Sequence, residues 1–478
     1  MGRKLLNRES IVAVCGAGAM GAGIAQVAAL AGHRVIILDQ AEDALSRGRD
    51  TVAKGLSALV KRGKLEDAEA VEIAARCEWS LDIEALAGAD LVIEAIVENA
   101  EIKRVLFQRI EDVVAADAII ATNTSSLAVT ALAAGRKNPS RYMGLHFFNP
   151  APVMKLVEVI SGAETDPTLA AYALDLMTSW GKTAVMARDV PGFIVNRVAR
   201  PYYGEGWRAL EEGAADAATL DFLYRDLAGF RMGPFELGDL IGHDINTAAA
   251  KSIFDAYSGR TRFTPSLMQG GLVAAGRLGR KSGRGVYSYS DESKPAPNLI
   301  APQGAVCDIS LLKTIIGKGE ADFEGARFFY ADGRSASRAA ADAKRPAVIV
   351  DYMRDPAAAT AIAFAASDET ADAAALALAS QSGKSAARLN DRAGLVVFRT
   401  LAQLVNCASD AVRDQVASPE AIDIALINGV NYPFGPLDWA RRENFARIAS
   451  ALDFISDETG DAMYRPGEWL RAAARKAL

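Results

Sequence analysis

The sequence is poor in residues that bind metals or form disulfides. Its 478 residues include only four cysteines and three histidines. The cysteines lie far apart without a CxxC pair, and no HExxH motif occurs. These absences argue against a disulfide scaffold, a zinc site and a catalytic metal, and they favour a reducing cytoplasm as the compartment of this protein.

The chain also lacks a large excess of charge of one sign. It has 53 Lys and Arg against 59 Asp and Glu, for a net charge of −6, which gives no indication of a nucleic-acid partner. An uncharged run over residues 11–32 is long enough to span a membrane. However, the run contains five glycines and leads directly into the strand-like residues 35–38, so we predict a protein without a membrane segment.

The glycines in this run have the spacing of a dinucleotide-binding turn. The turn consists of Gly16, Ala17, Gly18, Ala19, Met20 and Gly21. Residues 11–15 predict a buried parallel strand before it, and residues 22–31 predict a helix after it. In such a turn the first glycine makes the tight bend, the second lets the backbone approach a pyrophosphate, and the third lets helix and strand pack closely. The helix N-terminus would face the phosphates.

An acidic residue ends the second predicted strand, residues 35–38. Asp39 lies 18 residues after Gly21, where an acid would bind the ribose 2′-hydroxyl of a dinucleotide. Its charge would repel the 2′-phosphate of NADP, and the neighbouring Gln40 supplies no compensating cation. The sequence therefore predicts NAD as the cofactor.

Two further apolar runs, residues 90–95 and 118–122, predict later parallel strands of the same sheet. Glu98 follows the first run closely, and Ser125 follows the second. Because open α/β sheets bind ligands at the carboxyl ends of their strands, Ser125 is placed to face the nicotinamide end of the cofactor. The alternative on local grounds is that Ser125 caps a helix beginning at Leu127.

A histidine and a carboxylate lie in apolar surroundings downstream of this site. His146 is flanked by Phe147 and Phe148, and Glu158 lies in a strand-like run over residues 156–160. A histidine held by a carboxylate can remove a hydroxyl proton near neutral pH while a nicotinamide accepts the hydride. The pattern predicts oxidation of an alcohol. The alternative is that His146 is a core histidine whose hydrogen bonds are satisfied.

Taken together, these motifs closely resemble the 3-hydroxyacyl-CoA dehydrogenase family. The resemblance extends from about residue 10 to residue 289 and includes GAGAMGAGIAQVAA, ATNTSSL, GLHFFNPAPVMKLVEV, PGFIVNR, MGPFEL and GRKSGRGVY. Within the family, the chain is most similar in form to the 3-hydroxyadipyl-CoA and 3-hydroxybutyryl-CoA dehydrogenases of phenylacetate breakdown.

The resemblance implies a role for each matching residue. His146 would be the general base, Glu158 the carboxylate that orients it, and Ser125 and Asn196 would hydrogen-bond the substrate oxygens. With the glycine turn included, the implied cofactor-binding residues are Gly16, Gly18, Ala19, Met20, Gly21, Asp39, Gln40, Glu98, Lys103, Ser125, Asn149 and Lys281.

A basic helix is the candidate for binding coenzyme A. Lys54, Lys61 and Arg62 lie within a helical stretch that starts at about residue 43, or just past the end of that stretch. Positions 54 and 61 are two turns apart on one face of the helix. In the family this arm lies over the substrate, whose phosphates would attract these cations. The alternative is a solvated helix face.

The activity implied by the resemblance is NAD-dependent oxidation of an (S)-3-hydroxyacyl-CoA to the 3-oxoacyl-CoA. One alternative is another helical-domain β-hydroxyacid dehydrogenase, such as the 6-phosphogluconate type. Enzymes of that type use a lysine base, and the GLHFFNP motif with its paired Glu158 argues against them. A second alternative is a non-enzymatic NAD-binding protein, which would normally show a damaged Ser/His/Glu/Asn set, whereas here the set is intact.

The second half of the chain partly repeats the first at a constant spacing of 202 residues, for example from Arg197 to Arg399. The repeated positions are Gly181-Lys182, Asp189, Gly192, Arg197 and Gly233-Pro234, which recur as Gly383-Lys384, Asp391, Gly394, Arg399 and Gly435-Pro436. At this spacing Asn196 meets Phe398 and Glu158 meets Thr360. The backbone-shaping residues recur without the polar site residues, so we expect an inactive copy.

We therefore predict an α/β fold with four segments. Residues 1–188 form a Rossmann-type NAD-binding domain, and residues 189–290 form an all-α domain for substrate and dimer contacts. Residues 291–390 comprise a linker and a small α/β unit, and residues 391–478 form a degenerate second helical domain. In the family the first helical domain commonly forms the dimer contact, so the second copy would take the place of a partner in a homo-oligomer.

Overall fold

A computed structural model of the chain describes residues 6–7, 9–290, 295–304 and 306–476. The chain divides into two compact units: residues 1–195 with 415–430, and residues 196–414 with 431–478. Each unit therefore combines stretches from both halves of the sequence. Of the predicted linker over 291–302, residues 291–294 lie outside the described residues.

The first unit is built on a mostly parallel sheet with helices on both faces. Its strands are β1 (Ile11–Cys15), β2 (Arg34–Leu38), β3 (Cys77–Ser80), β4 (Leu91–Glu94), β5 (Ile119–Thr122), β6 (Tyr142–Phe147), β7 (Leu156–Ser161) and β8 (Thr183–Arg188). Its helices up to β8 are α1 (Ala19–Leu30), α2 (Glu42–Lys61), α3 (Asp67–Ala75), α4 (Ala100–Val113), α5 (Val129–Ala133) and α6 (Pro167–Ser179). The strand order is β3-β2-β1-β4-β5-β6-β7-β8, and β6 runs antiparallel to β7.

The uncharged run over residues 11–32 forms β1, the glycine turn and α1. The strand residues Val12, Ala13 and Val14 are fully buried because helices cover both faces of the sheet. The helix begins at Ala19, three residues before the predicted start, since Gly18 takes the extended N-cap conformation. In the described part of the chain, no helix is both long and apolar enough to cross a membrane.

The second part of the chain is mainly helical around a small sheet. Its helices are α7 (Val195–Val198), α8 (Arg200–Glu211), α9 (Ala217–Asp226), α10 (Pro234–Ile241), α11 (His243–Ala256), α12 (Leu267–Ala274), α13 (Ser310–Lys318), α14 (Ala336–Ala343), α15 (Glu369–Gln381), α16 (Val397–Arg413), α17 (Pro419–Val430), α18 (Pro436–Glu443), α19 (Phe445–Thr459) and α20 (Glu468–Lys476). Its strands are β9 (Glu320–Phe323), β10 (Ala326–Tyr330), β11 (Ala347–Val350), β12 (Ala361–Ala366) and β13 (Ser385–Arg388). Helix α17 belongs to the first unit, and α8 to α16, α18, α19 and α20 belong to the second.

The strand pairing of the small sheet repeats the pairing at one end of the large sheet, which agrees with the second α/β unit predicted from the sequence. Its order is β13-β12-β11-β10-β9. The pairs β10–β11, β11–β12 and β12–β13 are parallel, antiparallel and parallel, which is also the pattern of β5–β6, β6–β7 and β7–β8. The chain therefore contains the predicted second, smaller α/β unit followed by helices.

The strand register corrects one residue match made from the sequence. In the large sheet His146 lies opposite Glu158. In the small sheet the residue that corresponds to His146 is Asp351. Its N–H donates to the carbonyl of Ala363, which is the residue that corresponds to Glu158. The match of Glu158 with Thr360 is wrong, because the spacing between the last two strands differs in the two copies. In the second copy the distance from the start of β12 at Ala361 to the start of β13 at Ser385 is three residues shorter than the distance from Leu156 of β7 to Thr183 of β8.

Asp351, at the position of His146 in the second copy, binds backbone N–H groups. Its carboxylate accepts hydrogen bonds from the N–H groups of Val396, Val397 and Phe398 at 2.8–3.1 Å. The residue is fully buried, and burial raises its pKa against the opposing effect of these hydrogen bonds. An acid that orders the start of α16 has thus taken the position that His146 occupies in the first copy.

Contacts between repeated positions are reciprocal. In the second unit Arg197 pairs with Asp414, and Arg399 pairs with Glu212 at 3.0 Å; each residue of the second pair lies 202 positions from its counterpart in the first. The Arg188 N–H donates to the Val416 carbonyl within the first unit, and the Asn390 N–H donates to the Ala214 carbonyl within the second. Such exchange of equivalent contacts is the pattern of a two-fold symmetric interface.

Candidate active site

A histidine–glutamate pair occupies the antiparallel part of the large sheet. The β6–β7 register places His146 opposite Glu158, and the imidazole Nδ1 lies 2.6 Å from the Glu158 Oε2. The two side chains are 7% and 0% exposed. A proton on Nδ1 satisfies this contact, so Nε2 is left with its lone pair to accept a proton. The pair has the arrangement of a general base and its orienting carboxylate.

The second oxygen of Glu158 is held by backbone. Its Oε1 accepts hydrogen bonds from the Ile194 and Val195 N–H groups, both at 3.0 Å. Gly192 and Phe193 lie in the left-handed region with φ of 76° and 44°, and this turn directs the two N–H groups toward the carboxylate. Hydrogen bonds from N–H groups to an ionised oxygen are the stronger kind, so the charge on Glu158 is stabilised where it faces His146.

Aromatic rings surround the histidine. Phe148 and Phe193 have ring centroids 4.5 and 5.8 Å from that of His146. Gly429 of α17 lies against Phe148, since a Cβ added there would be 3.6 Å from the phenyl ring. The apolar surroundings predicted for His146 are therefore supplied partly by a helix from the far end of the sequence.

The loop after β5 is organised by Glu98. Its Oε1 accepts hydrogen bonds from the Thr124 hydroxyl at 2.6 Å and from the Ser125 and Ser126 N–H groups at 3.0 and 3.1 Å. Burial opposes its ionisation, but the Thr124 hydrogen bond and the Lys103 ammonium outweigh it, so the pKa of Glu98 lies below its usual value. The carboxylate predicted to contact the cofactor thus also shapes the Ser125 loop.

Ser125 does not cap a helix. Helix α5 begins at Val129 with Ala128 as its N-cap, and Asp189 accepts the N–H groups of Val129 and Thr130 instead. The alternative interpretation of Ser125 as an N-cap is therefore wrong, since an acid from a distant part of the sequence performs that task.

Lys103 lies inside the protein between two acids. Its side chain is 1% exposed, and its Nζ lies 2.6 Å from Glu94 and 3.2 Å from Glu98. The Glu94 carboxylate also accepts a hydrogen bond from the Thr122 hydroxyl. In this arrangement Lys103 positions Glu98. Sequence reasoning missed Glu94, although an acid at the end of a buried apolar strand was a usable signal.

The glycine turn has the shape required for a dinucleotide. Gly16 has φ of 110°, and a Cβ on Gly21 would lie 1.8 Å from the Gly16 carbonyl oxygen, whereas a Cβ on Gly18 would meet nothing within 4 Å. The positive φ of Gly16 requires glycine for the turn, and the close approach at Gly21 requires glycine for the helix packing. The open space beside Gly18 lies on the side where a pyrophosphate would approach. The residues present therefore fit NAD.

A cleft of about 640 Å³ adjoins this turn. Asp39 and Gln40 line it, and the Asp39 carboxylate is oriented by the N–H groups of Ala17 at 2.8 Å and Ala41 at 3.2 Å. The sequence reasoning missed the apolar wall of this cleft, which includes Leu81, Ile83, Val97, Ile102 and Val105. A largely apolar cleft with few polar groups is typical of a cofactor site.

We expect Asp39→Ser combined with Gln40→Arg to change cofactor preference toward NADP. The double substitution removes repulsion of the 2′-phosphate and supplies a cation for it. We expect the KM for NADP relative to that for NAD to fall by roughly tenfold or more, and tenfold corresponds to about 1.4 kcal/mol. The KM values for NAD and NADP measure it. Asp43→Ser at the exposed start of α2 is the matched control. Unchanged preference in the double variant would show that Asp39 does not contact the ribose.

Most of the remaining residues assigned from the sequence are exposed, and Asn196 is half-buried. Asn149 is exposed after β6, and Lys54, Lys61 and Arg62 are exposed on α2 and at its C-cap. Lys281 belongs to the second unit, where its ammonium lies 2.6 Å from Asp244. Asn196 follows directly after Val195 at the start of the second unit. Their roles toward ligands stay predictions.

Three family profiles match almost the whole chain. The NAD binding domain of 3-hydroxyacyl-CoA dehydrogenase matches residues 11–190, and the C-terminal domain of the same family matches residues 192–289 and again 394–477. The reduced Rossmann-fold domain of 3-hydroxybutyryl-CoA dehydrogenase matches residues 329–392. The double match of the C-terminal domain agrees with the repeat in the sequence.

Individual relatives agree with these profiles. The 3-hydroxyadipyl-CoA dehydrogenase of Escherichia coli K12 is 44% identical over 463 residues, which is 97% of both chains. A probable 3-hydroxybutyryl-CoA dehydrogenase of Deinococcus radiodurans is 40% identical over 276 residues, 58% of this chain and 99% of the relative. The crystal structure of a 3-hydroxybutyryl-CoA dehydrogenase from Escherichia coli K12 superimposes with a TM-score of 0.92 at 42% identity, covering 99% of each chain. The chain therefore belongs to the NAD-dependent 3-hydroxyacyl-CoA dehydrogenase family.

Proposed function

We propose that this enzyme oxidises a short (S)-3-hydroxyacyl-CoA, 3-hydroxyadipyl-CoA or 3-hydroxybutyryl-CoA, to the 3-oxoacyl-CoA with His146 as the general base. The observation that carries the proposal is the buried contact of 2.6 Å between the His146 Nδ1 and Glu158. The names of the Escherichia coli and Deinococcus relatives support the two candidate substrates.

The residues of the chain perform the proton transfer. The free Nε2 of His146 takes the proton of the 3-hydroxyl group, and Glu158 stabilises the imidazolium that forms. Two backbone N–H groups keep Glu158 fixed during this step. NAD, when bound along the glycine turn, supplies the acceptor for the hydride from C3. Ser125 and Asn196 hold the substrate oxygens.

We further propose the division of labour among the segments. Residues 1–188 bind NAD, residues 189–290 bind the acyl-CoA, and the residues after 290 provide the degenerate copy that replaces a dimer partner. Lys54, Lys61 and Arg62 attract the phosphates of coenzyme A. The four cysteines lie far apart in the sequence without a CxxC pair, which supports a reducing cytoplasm.

A substrate panel with NADH absorbance as readout tests the proposal. It includes 3-hydroxyadipyl-CoA, 3-hydroxybutyryl-CoA, the corresponding free acids and 6-phosphogluconate. We expect rapid reduction of NAD only with the CoA esters. Oxidation of free β-hydroxy acids in preference to the esters would favour the lysine-base class of enzymes, and NAD binding without oxidation of any substrate would favour a non-enzymatic role.

Replacing the orienting carboxylate should slow the reaction and change its pH dependence. Glu158→Gln keeps the shape but removes the charge that stabilises the imidazolium, so we expect turnover to fall roughly 10–100-fold. The pH dependence of turnover should change as well, because the imidazolium that forms in the reaction then has no anion beside it. Glu164→Gln, at an exposed position nearby, is the control. An unchanged pH profile in Glu158→Gln would contradict the assigned role.

A further inference from the structure

Helix α17 carries a buried glycine, Gly429, on the face that packs against β7 and β8. A Cβ added there would lie 2.6 Å from the Leu156 Cδ2, 3.1 Å from the Val195 Cγ2 and 3.6 Å from the Phe148 ring. Leu156 is fully buried and Val195 is 1% exposed, so neither side chain can turn into solvent to make room. The contact between α17 and the sheet therefore requires glycine at this position.

The helix itself has no need of this glycine. Gly429 has helical backbone, and alanine is more favourable than glycine inside a helix. The left-handed residue that ends α17 is Asn431, with φ of 56°, so the glycine does not serve the turn out of the helix. What remains is the close approach to the sheet, which glycine permits because it has no side chain.

The three side chains that meet the glycine each belong to a residue that holds part of the histidine–glutamate pair. The Val195 N–H donates to the Glu158 Oε1 at 3.0 Å. Leu156 lies two residues before Glu158 on β7, so the two side chains are on the same face of the sheet. The Phe148 ring centroid is 4.5 Å from that of His146. A displacement at the glycine is therefore passed directly to both members of the pair.

The equivalent contact in the second unit is built from different side chains. At the spacing of 202 residues Gly429 corresponds to Leu227 of the first copy. Leu156 corresponds to Ala361, since these are the first residues of the equivalent strands β7 and β12. Asp226, beside Leu227, accepts the Ala361 N–H at 3.1 Å, and Leu227 and Ala361 are both fully buried. The glycine is thus restricted to the contact that adjoins the base.

We propose that Gly429 is a positioning residue for the oxidation. Because it has no side chain, α17 approaches β7 closely enough for its three neighbours to fix the orientation of Glu158 and His146. The inference rests on the proposed function, because it takes His146 as the general base. Gly429 belongs to the degenerate second copy, so this copy shapes the active site of the first although it has no base of its own.

Gly429→Ala tests the proposal in the full-length enzyme. The added methyl group must move about 1 Å away from Leu156 to reach ordinary contact distance, and a misplacement of that size can slow a reaction by about 100-fold. We expect kcat to fall roughly 10–100-fold, while the KM for NAD stays unchanged because other residues line the cofactor cleft. Gly317→Ala, at an exposed position of α13 where an added Cβ meets nothing within 4 Å, is the matched control and should keep the wild-type kcat.

Two double variants separate positioning of the pair from a loss of structure. Leu156→Val removes the Cδ2 atom that the new methyl group meets, so Gly429→Ala with Leu156→Val should recover most of the lost kcat. In the Glu158→Gln background, Gly429→Ala should lower kcat little further, because the glycine acts through the charged pair that this background has already lost. Damage to the structure would instead add to the effect of Glu158→Gln.

Three outcomes would overturn the positioning role: wild-type kcat in Gly429→Ala, a loss of kcat that adds in full to that of Glu158→Gln, or failure of Gly429→Ala to fold as judged by circular dichroism. The last would assign the glycine to structure alone. Failure of the proposed function is a different result, since it would appear as wild-type turnover in a variant without the His146 imidazole, whatever Gly429→Ala does.

Discussion

His146→Gln should lower turnover by about 10²–10⁴, the usual contribution of a positioned general base, while NAD affinity stays close to that of the wild-type enzyme. Glutamine retains a polar side chain of similar reach but has no group that takes up a proton near neutral pH. The expected loss is confined to kcat, because the imidazole Nε2 acts on the reacting hydroxyl and the cofactor cleft is formed by other residues. Steady-state kinetics and calorimetric titration with NAD measure the two quantities.

His33 provides the matched control for this substitution. It is also buried, but its ring nitrogens contact the Ser10 carbonyl at 3.2 Å and the Trp180 indole at 3.0 Å rather than a carboxylate. His33→Gln should therefore affect stability and leave turnover of the folded enzyme nearly intact. Wild-type turnover in His146→Gln would rule out His146 as the base.

Deletion of residues 291–478 should abolish the soluble monomer. Within the second unit the deletion removes α16, which packs against α8, together with the pairing of Arg197 with Asp414. Within the first unit it removes α17, which covers β7 and β8. The exposed apolar faces would drive association, and because the lost contacts are reciprocal, the closed product is a two-fold dimer.

The Deinococcus relative, which aligns over 276 residues, indicates that the shorter length suffices for a family member. Light scattering after size-exclusion chromatography should show dimers or aggregates of the truncated chain. The control is the full-length protein with a protease site placed in the predicted linker over residues 291–302, which should stay associated and active after cleavage. A truncated chain that remains a fully active monomer would contradict the idea that the second copy replaces a partner.

Local patterns in the sequence determined much of the dinucleotide site. The glycine turn, the strand before it and Asp39 at the end of β2 depend on backbone conformation and on alternation within a few residues, so they could be predicted. The start of α1 was misplaced by three residues because an extended glycine can begin a helix without any polar cap. The repeat was also visible, since glycines and Gly-Pro turns recur at fixed spacing.

The contacts that complete the site depended on the tertiary structure. Only the strand register placed Ala363, rather than Thr360, at the position of Glu158 and opposite Asp351, because the spacing between strands differs in the two copies. Only packing brought Gly429 against Phe148. The sequence by itself fixes which residues can form turns, strands and a base. Which distant side chains meet is decided by sheet register and helix packing, since these bring together residues hundreds of positions apart.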